Sequence, residues 1–181
     1  MKGFTRENLL LSLCGLNCGL CVMHLGGHCP GCGGGEGNQS CAIARCSLEH
    51  GNAEYCSQCG EYPCTRYAHS DDCDSFITHQ NRRRDLEKVL EIGTEAYNEE
   101  QLEKIRTLHF LLEHYNDGRK KTLFATAVNL LELAELQGVV TQLSENAALQ
   151  TATQKEKAAA AAKALEEIAA ERGTSLKLRK K

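Results

Sequence analysis

Ten cysteines between Cys14 and Cys64 fall in short groups whose spacing suits metal ligation: Cys14-x3-Cys18-x2-Cys21, Cys29-x2-Cys32, Cys41-x4-Cys46, Cys56-x2-Cys59 and Cys64. A structural zinc takes four tetrahedral ligands. A Cys-x2-Cys pair brings two thiolates to one ion around a tight turn and leaves backbone N–H groups for the sulfurs. Cys18/Cys21, Cys29/Cys32 and Cys56/Cys59 have that spacing, and the Cys41/Cys46 pair is wider. Two zinc ions are expected. A sequential arrangement joins Cys18, Cys21, Cys29 and Cys32 in one site and Cys41, Cys46, Cys56 and Cys59 in the other; an interleaved one fits the spacing equally well. Eight thiolates satisfy two tetrahedral ions, so two of the ten are surplus, with Cys14 and Cys64 at the margins as the candidates. His24, His28 and His50 are near enough in sequence to replace a thiolate but read first as polar loop residues. Cys73 has no partner at ligand spacing. Among Asp71, Asp72 and Asp74 its surroundings disfavour a thiolate, so it reads as a free cysteine rather than a nucleophile.

Thiolates also hold iron, and an iron–sulfur cluster for electron transfer is the rival reading. The triplet Cys14, Cys18, Cys21 resembles the cluster motif of radical S-adenosylmethionine enzymes, in which three thiolates leave one iron open to the cofactor. Those enzymes need repeated strand and helix alternation, which this chain does not show. A thioredoxin-like redox pair would need a βαβ setting, also missing from the pattern. The run Gly31-Cys32-Gly33-Gly34-Gly35-Glu36-Gly37 lacks the Lys-Ser/Thr ending of a phosphate loop, and it reads as a flexible link between two metal-binding knuckles.

The elements that must position this cysteine-rich stretch are helical. From Asn81, Leu86, Val89 and Leu90 form a narrow apolar face that Gly93 ends. Asn98 and Gln101 have the spacing of a capping box, opening a helix with Leu102, Ile105, Leu108, Leu111, Leu112 and Tyr115 on one face. Asn116-Asp117-Gly118 predicts a turn. The next helix, about 121 to 137, should fold back as a hairpin through Leu123, Phe124, Ala127, Leu130, Leu131 and Ala134, with Gly138 ending it. The segment from 144 to 172 is rich in alanine, the best helix former. It offers little apolar area, so it should lie loosely on the domain or project from it. The expected architecture is mainly α: an irregular cysteine-rich metal-binding module at 1–75, a helical region packed on it at 76–140, and an Ala-rich helix with a basic tail at 141–181.

Composition narrows the function classes. The chain has 181 residues, 41% apolar and 25% charged, no Trp and 5% aromatics, which leaves no large aromatic core. No stretch reaches about 18 consecutive apolar residues, so no membrane span is expected. The short apolar run Leu9 to Leu13, preceded by Arg6 and Glu7, is not a signal-peptide core. A reducing cytoplasm follows, where grouped cysteines are metal ligands rather than disulfides. The formal net charge of −3 gives no reason to expect a nucleic-acid coat. Arg82-Arg83-Arg84, Arg119-Lys120-Lys121 and the basic C-terminus read as solvated helix ends. Glu99, Glu100 and Glu103 read as first-turn residues favoured by the helix dipole rather than as paired catalytic carboxylates. The partner class is an unspecified protein or small molecule, and the role is binding or scaffolding, with no catalytic residue assigned.

Four segments together carry a family likeness: Cys14-Gly15-Leu16-Asn17-Cys18-Gly19-Leu20-Cys21, Cys29-Pro30-Gly31-Cys32, Cys41-Ala42-Ile43-Ala44-Arg45-Cys46 and Tyr55-Cys56-Ser57-Gln58-Cys59-Gly60-Glu61-Tyr62-Pro63-Cys64. In this order they resemble the prokaryotic cysteine-rich family known as domain of unknown function 3795. The likeness covers roughly residues 10 to 70, with a looser similarity around Tyr115 to Leu133. It implies zinc binding, with metal ligands at Cys14, Cys18, Cys21, Cys29, Cys32, Cys41, Cys46, Cys56, Cys59 and Cys64, and it implies no activity. Cys73 lies outside the pattern.

Overall fold

The structure, a computed structural model, describes residues 3–35, 41–67 and 71–180. Among them the chain is mainly helical, with no β-strand. Eight α-helices follow in order: α1 (Val22–Leu25), α2 (Ala42–Glu49), α3 (Arg82–Ile92), α4 (Thr94–His114), α5 (Lys121–Leu130), α6 (Leu133–Glu145), α7 (Ala147–Gln150) and the long α8 (Gln154–Glu171). Single 3-10 turns occur at Cys18–Leu20, Cys56–Gln58 and Thr65–Tyr67. The chain divides into two compact units. One takes in the described residues up to Gln101 with Arg179 and Lys180, and the other spans Leu102–Leu178.

The first unit is cysteine-rich but not held by cysteines alone. The residues ahead of Cys14 supply apolar side chains to two small cores. Leu11 is buried with Tyr55, Leu86, Val89 and Tyr97. Phe4 and Leu13 are buried with Ala44. Cys56 packs against both groups, so the two cores meet at a cysteine.

Helix α3 begins after Asn81 and ends at Gly93, whose φ of 83° is open to glycine at little cost. Leu86 and Val89 are buried as expected, but Leu90 is 59% exposed. The buried face is Arg82, Asp85, Leu86 and Val89, at i, i+3, i+4 and i+7. Two charged residues therefore belong to it, and they turn the helix away from Leu90.

Helix α4 starts at Thr94, four residues before the expected cap. Gly93 lets the chain restart at once, and the Tyr97 N–H bonds the Gly93 carbonyl at 3.2 Å. Asn98 caps nothing; its Oδ1 accepts from Asn8 Nδ2 at 3.0 Å. Glu99, Glu100 and Glu103 consequently lie beyond the first turn, with Glu100 2.6 Å from Lys88 Nζ and Glu103 paired to Arg106. Tyr97 and Gln101, not Leu102, are buried on the helix's first half.

In the second unit Leu108, Leu111 and Tyr115 are buried as the pattern requires. The turn at 116–118 forms, with Asn116 Oδ1 accepting from the N–H groups of Gly118 and Lys120 at 3.1 Å each. The expected single helix after it is two. The chain becomes extended at Leu131, and α6 restarts with the Glu135 carboxylate accepting the Glu132 N–H at 2.8 Å. Gly138 lies inside α6 instead of ending it. The Ala-rich helix is not a loose appendage, because both α5 and α6 pack on α8. Ala158, Ala161, Ala162, Leu165 and Ala169 are buried there. Alanine removes little area from water, but its small side chain lets neighbouring helices approach closely, and close packing carries its own dispersion energy.

Candidate metal centre

Two of the Cys-x2-Cys pairs fold into the same local turn. After Asn17, Cys18–Leu20 makes one 3-10 turn, with the Cys21 N–H bonding the Cys18 carbonyl at 3.0 Å. After Tyr55, Cys56–Gln58 does the same, with the Cys59 N–H on the Cys56 carbonyl at 3.0 Å. Cys21 and Cys59 are both extended, at φ −76°, ψ 129° and φ −81°, ψ 133°. The Cys29/Cys32 pair is closed by Gly34, whose N–H bonds the Gly31 carbonyl at 3.2 Å. A methyl group on Gly33 would meet the backbone nitrogen of Arg6 at 2.8 Å. This piece of the glycine-rich run is packed rather than a flexible link; Glu36 and Gly37 lie outside the described residues.

Nine of the ten motif cysteines line two depressions. Cys14, Cys18, Cys29, Cys32 and Cys41 line one, together with Phe4, Ser12 and Ala44. Cys46, Cys56, Cys59 and Cys64 line the other, together with Leu13, Ile43, His50, Tyr62 and Tyr67. Cys21 lines neither, although it lies near enough to Cys18 to oppose its ionisation. Cys64, expected at the margin, belongs to the second group. All eleven cysteines are free thiols.

Each depression supplies donors to its sulfurs. Burial pushes the Cys18 thiol up to about 12, and the Cys32 N–H bond to its sulfur only partly offsets this. Burial also pushes Cys32 up, against the pull of the Leu13 N–H and the Arg6 guanidinium. Cys56 is pushed up to about 12 by burial, against a hydrogen bond from the Tyr67 hydroxyl. Tyr67 keeps its proton, since burial raises its ionisation well beyond the ordinary phenol range, with Cys14 and Cys56 adding to the effect. Thiols this reluctant to ionise are poor nucleophiles. A bound cation inverts that balance, because it deprotonates the thiols that coordinate it.

Residues outside the motifs hold these groups in place. Arg6, buried, donates to the carbonyls of Leu11 at 2.8 Å and Cys32 at 3.4 Å, and lies 3.0 Å from Glu54 Oε1. Asn17, next to Cys18, donates to Asp85 Oδ2 at 2.9 Å and accepts from the Tyr97 hydroxyl at 2.7 Å. Asn81 also donates to Asp85 Oδ2. Gly15 adopts φ +90°, and a Cβ there would sit 2.2 Å from the Arg82 carbonyl oxygen, so only glycine lets the Cys14 loop meet α3. Arg82 is buried, ion-paired to Asp71 and stacked 4.5 Å above the Tyr67 ring. Arg83 also pairs with Asp71, at 3.1 Å. The expected solvated arginine cluster is thus in part an internal brace.

His24 and His28 line neither depression, whereas His50 lines the second, with its Nδ1 3.5 Å from the Cys46 sulfur. His24 Nδ1 and the Cys29 carbonyl oxygen are 2.9 Å apart, as are His50 Nδ1 and the Cys46 carbonyl oxygen. His50 Nε2 lies 3.7 Å from Glu61 Oε1. His28 is exposed.

Among the described residues, no three or more His, Cys, Asp or Glu side chains are assembled so that they could hold a metal ion as they stand. No described helix is long and apolar enough to cross a membrane. No family model matches the chain, and no curated protein or solved structure matches it either.

Proposed function

We propose that this chain is a zinc protein in which two ions held by cysteine thiolates hold the cysteine-rich unit in shape, and that its role is binding or scaffolding rather than catalysis. The observation that carries this reading is the convergence of nine motif cysteines on two depressions of one unit. N–H or O–H donors already reach Cys18, Cys32 and Cys56, and thiolates on a metal need such donors. Loading draws the sulfurs of each depression together and releases their protons to solvent. The likeness to the cysteine-rich family points the same way.

The free thiols suit a reducing cytoplasm. The test is anaerobic purification with elemental analysis. A colourless protein with about two zinc per chain is expected. A brown protein containing iron would replace zinc by an iron–sulfur cluster.

A further inference from the structure

We infer that the two ligand sets cross over within α2: Cys18, Cys29, Cys32 and Cys41 serve one ion, and Cys46, Cys56, Cys59 and Cys64 serve the other. This rests on the metal reading above and chooses between arrangements that spacing alone leaves open.

Cys41 and Cys46 decide the matter. Cys41 precedes α2 as its N-cap, with the Arg45 N–H on its carbonyl at 3.1 Å, and Cys46 lies within the helix. Cys41 has extended backbone (φ −119°, ψ 126°), so its side chain leaves the chain ahead of the helical rows, whereas Cys46 sits in the second turn of α2. The lining agrees: Cys41 faces the depression of Cys29 and Cys32, and Cys46 that of Cys56 and Cys59. Cys14 lines the first depression as a fifth thiol, with its sulfur 3.3 Å from the Ser12 hydroxyl. It is left over with Cys21. On loading, each of the eight thiols loses a proton to solvent and gives one sulfur lone pair to its ion, with no change of oxidation state.

The experiment is 113Cd NMR of the full chain reconstituted with cadmium. Two resonances in the all-sulfur range are expected. Cys41→Ser and Cys32→Ser should shift or remove the same resonance, and Cys46→Ser and Cys59→Ser the other. If Cys41→Ser and Cys46→Ser act on one resonance, the crossover is overturned while metal binding stands. If no cadmium binds in the sulfur range, the metal reading fails and takes the crossover with it. Should one serine variant not fold, its partner in the same set reads the same resonance, and Cys73→Ser, outside both sets, should leave both unchanged.

Discussion

The Tyr97 hydroxyl donates to Asn17 Oδ1 across 2.7 Å, so α4 holds the residue that opens the Cys18 turn. Tyr97 is fully buried. Phenylalanine there keeps the ring and leaves a buried acceptor without that donor, at a cost of about 1–3 kcal/mol. Tyr97→Phe should lower the urea midpoint with an unchanged m-value. A midpoint equal to the parent's would show that this bond anchors nothing.

Metal removal should act unevenly along the chain. Structural zinc contributes about 10–16 kcal/mol in small zinc peptides, and among the described residues the segment from Cys14 to Cys64 contains only two short α-helices. Chelation should therefore open residues 14–64 to protease while circular dichroism keeps most of its helical signal. Unchanged proteolysis of that segment after complete removal would rule out a structural role for the metal.

Acid should free the C-terminal end. Burial pushes the Asp74 carboxyl up, but hydrogen bonds from the Arg179 side chain and N–H and from the His79 N–H outweigh it and hold it below the usual value. A depressed carboxyl contributes its full stabilisation above its unfolded pKa, about 3.9, and loses it as pH falls through the lower folded value. Protection of the Arg179 amide, relative to its intrinsic exchange rate, should hold steady above about pH 4 and fall below it. Asp74→Asn should abolish that dependence, and a variant that kept it would assign the transition to another group.

Ala161 on α8 is fully buried, whereas Ala159 two residues earlier is exposed. Overpacking costs about 1–3 kcal/mol. Ala161→Leu should lower the thermal midpoint of the unit it sits in, with Ala159→Leu close to neutral. Equal effects would return α8 to the role of a loose appendage.

Helix existence was readable where apolar residues kept a helical period and a turn signal followed, as at Leu108, Leu111, Tyr115 and the Asn116 turn. Reading failed where the buried face was not apolar. Arg82 and Asp85 on α3 have partners distant in sequence, Asp71 and Asn17, and no local pattern reports them. Alanine works in the opposite direction: the apolar size of α8 understates its burial, because small side chains pack by closeness of approach. Of the candidate centre, the cysteine groups were visible by spacing. Arg6 and Tyr67, which donate to Cys32 and Cys56, were not, since a lone arginine or tyrosine carries no spacing signal.

Leu13 joins the two depressions through its own backbone: its N–H reaches the Cys32 sulfur, and its carbonyl accepts the Cys56 N–H at 2.8 Å. If each cysteine group folded alone, the groups would be separable beads. Here one residue of the leading segment serves both sides, and Phe4 and Arg6 from that segment pack beneath them. A fragment beginning at Cys14 would keep every motif cysteine and lose the strut between them. The cysteine pattern therefore marks a larger indivisible unit than its own boundaries suggest.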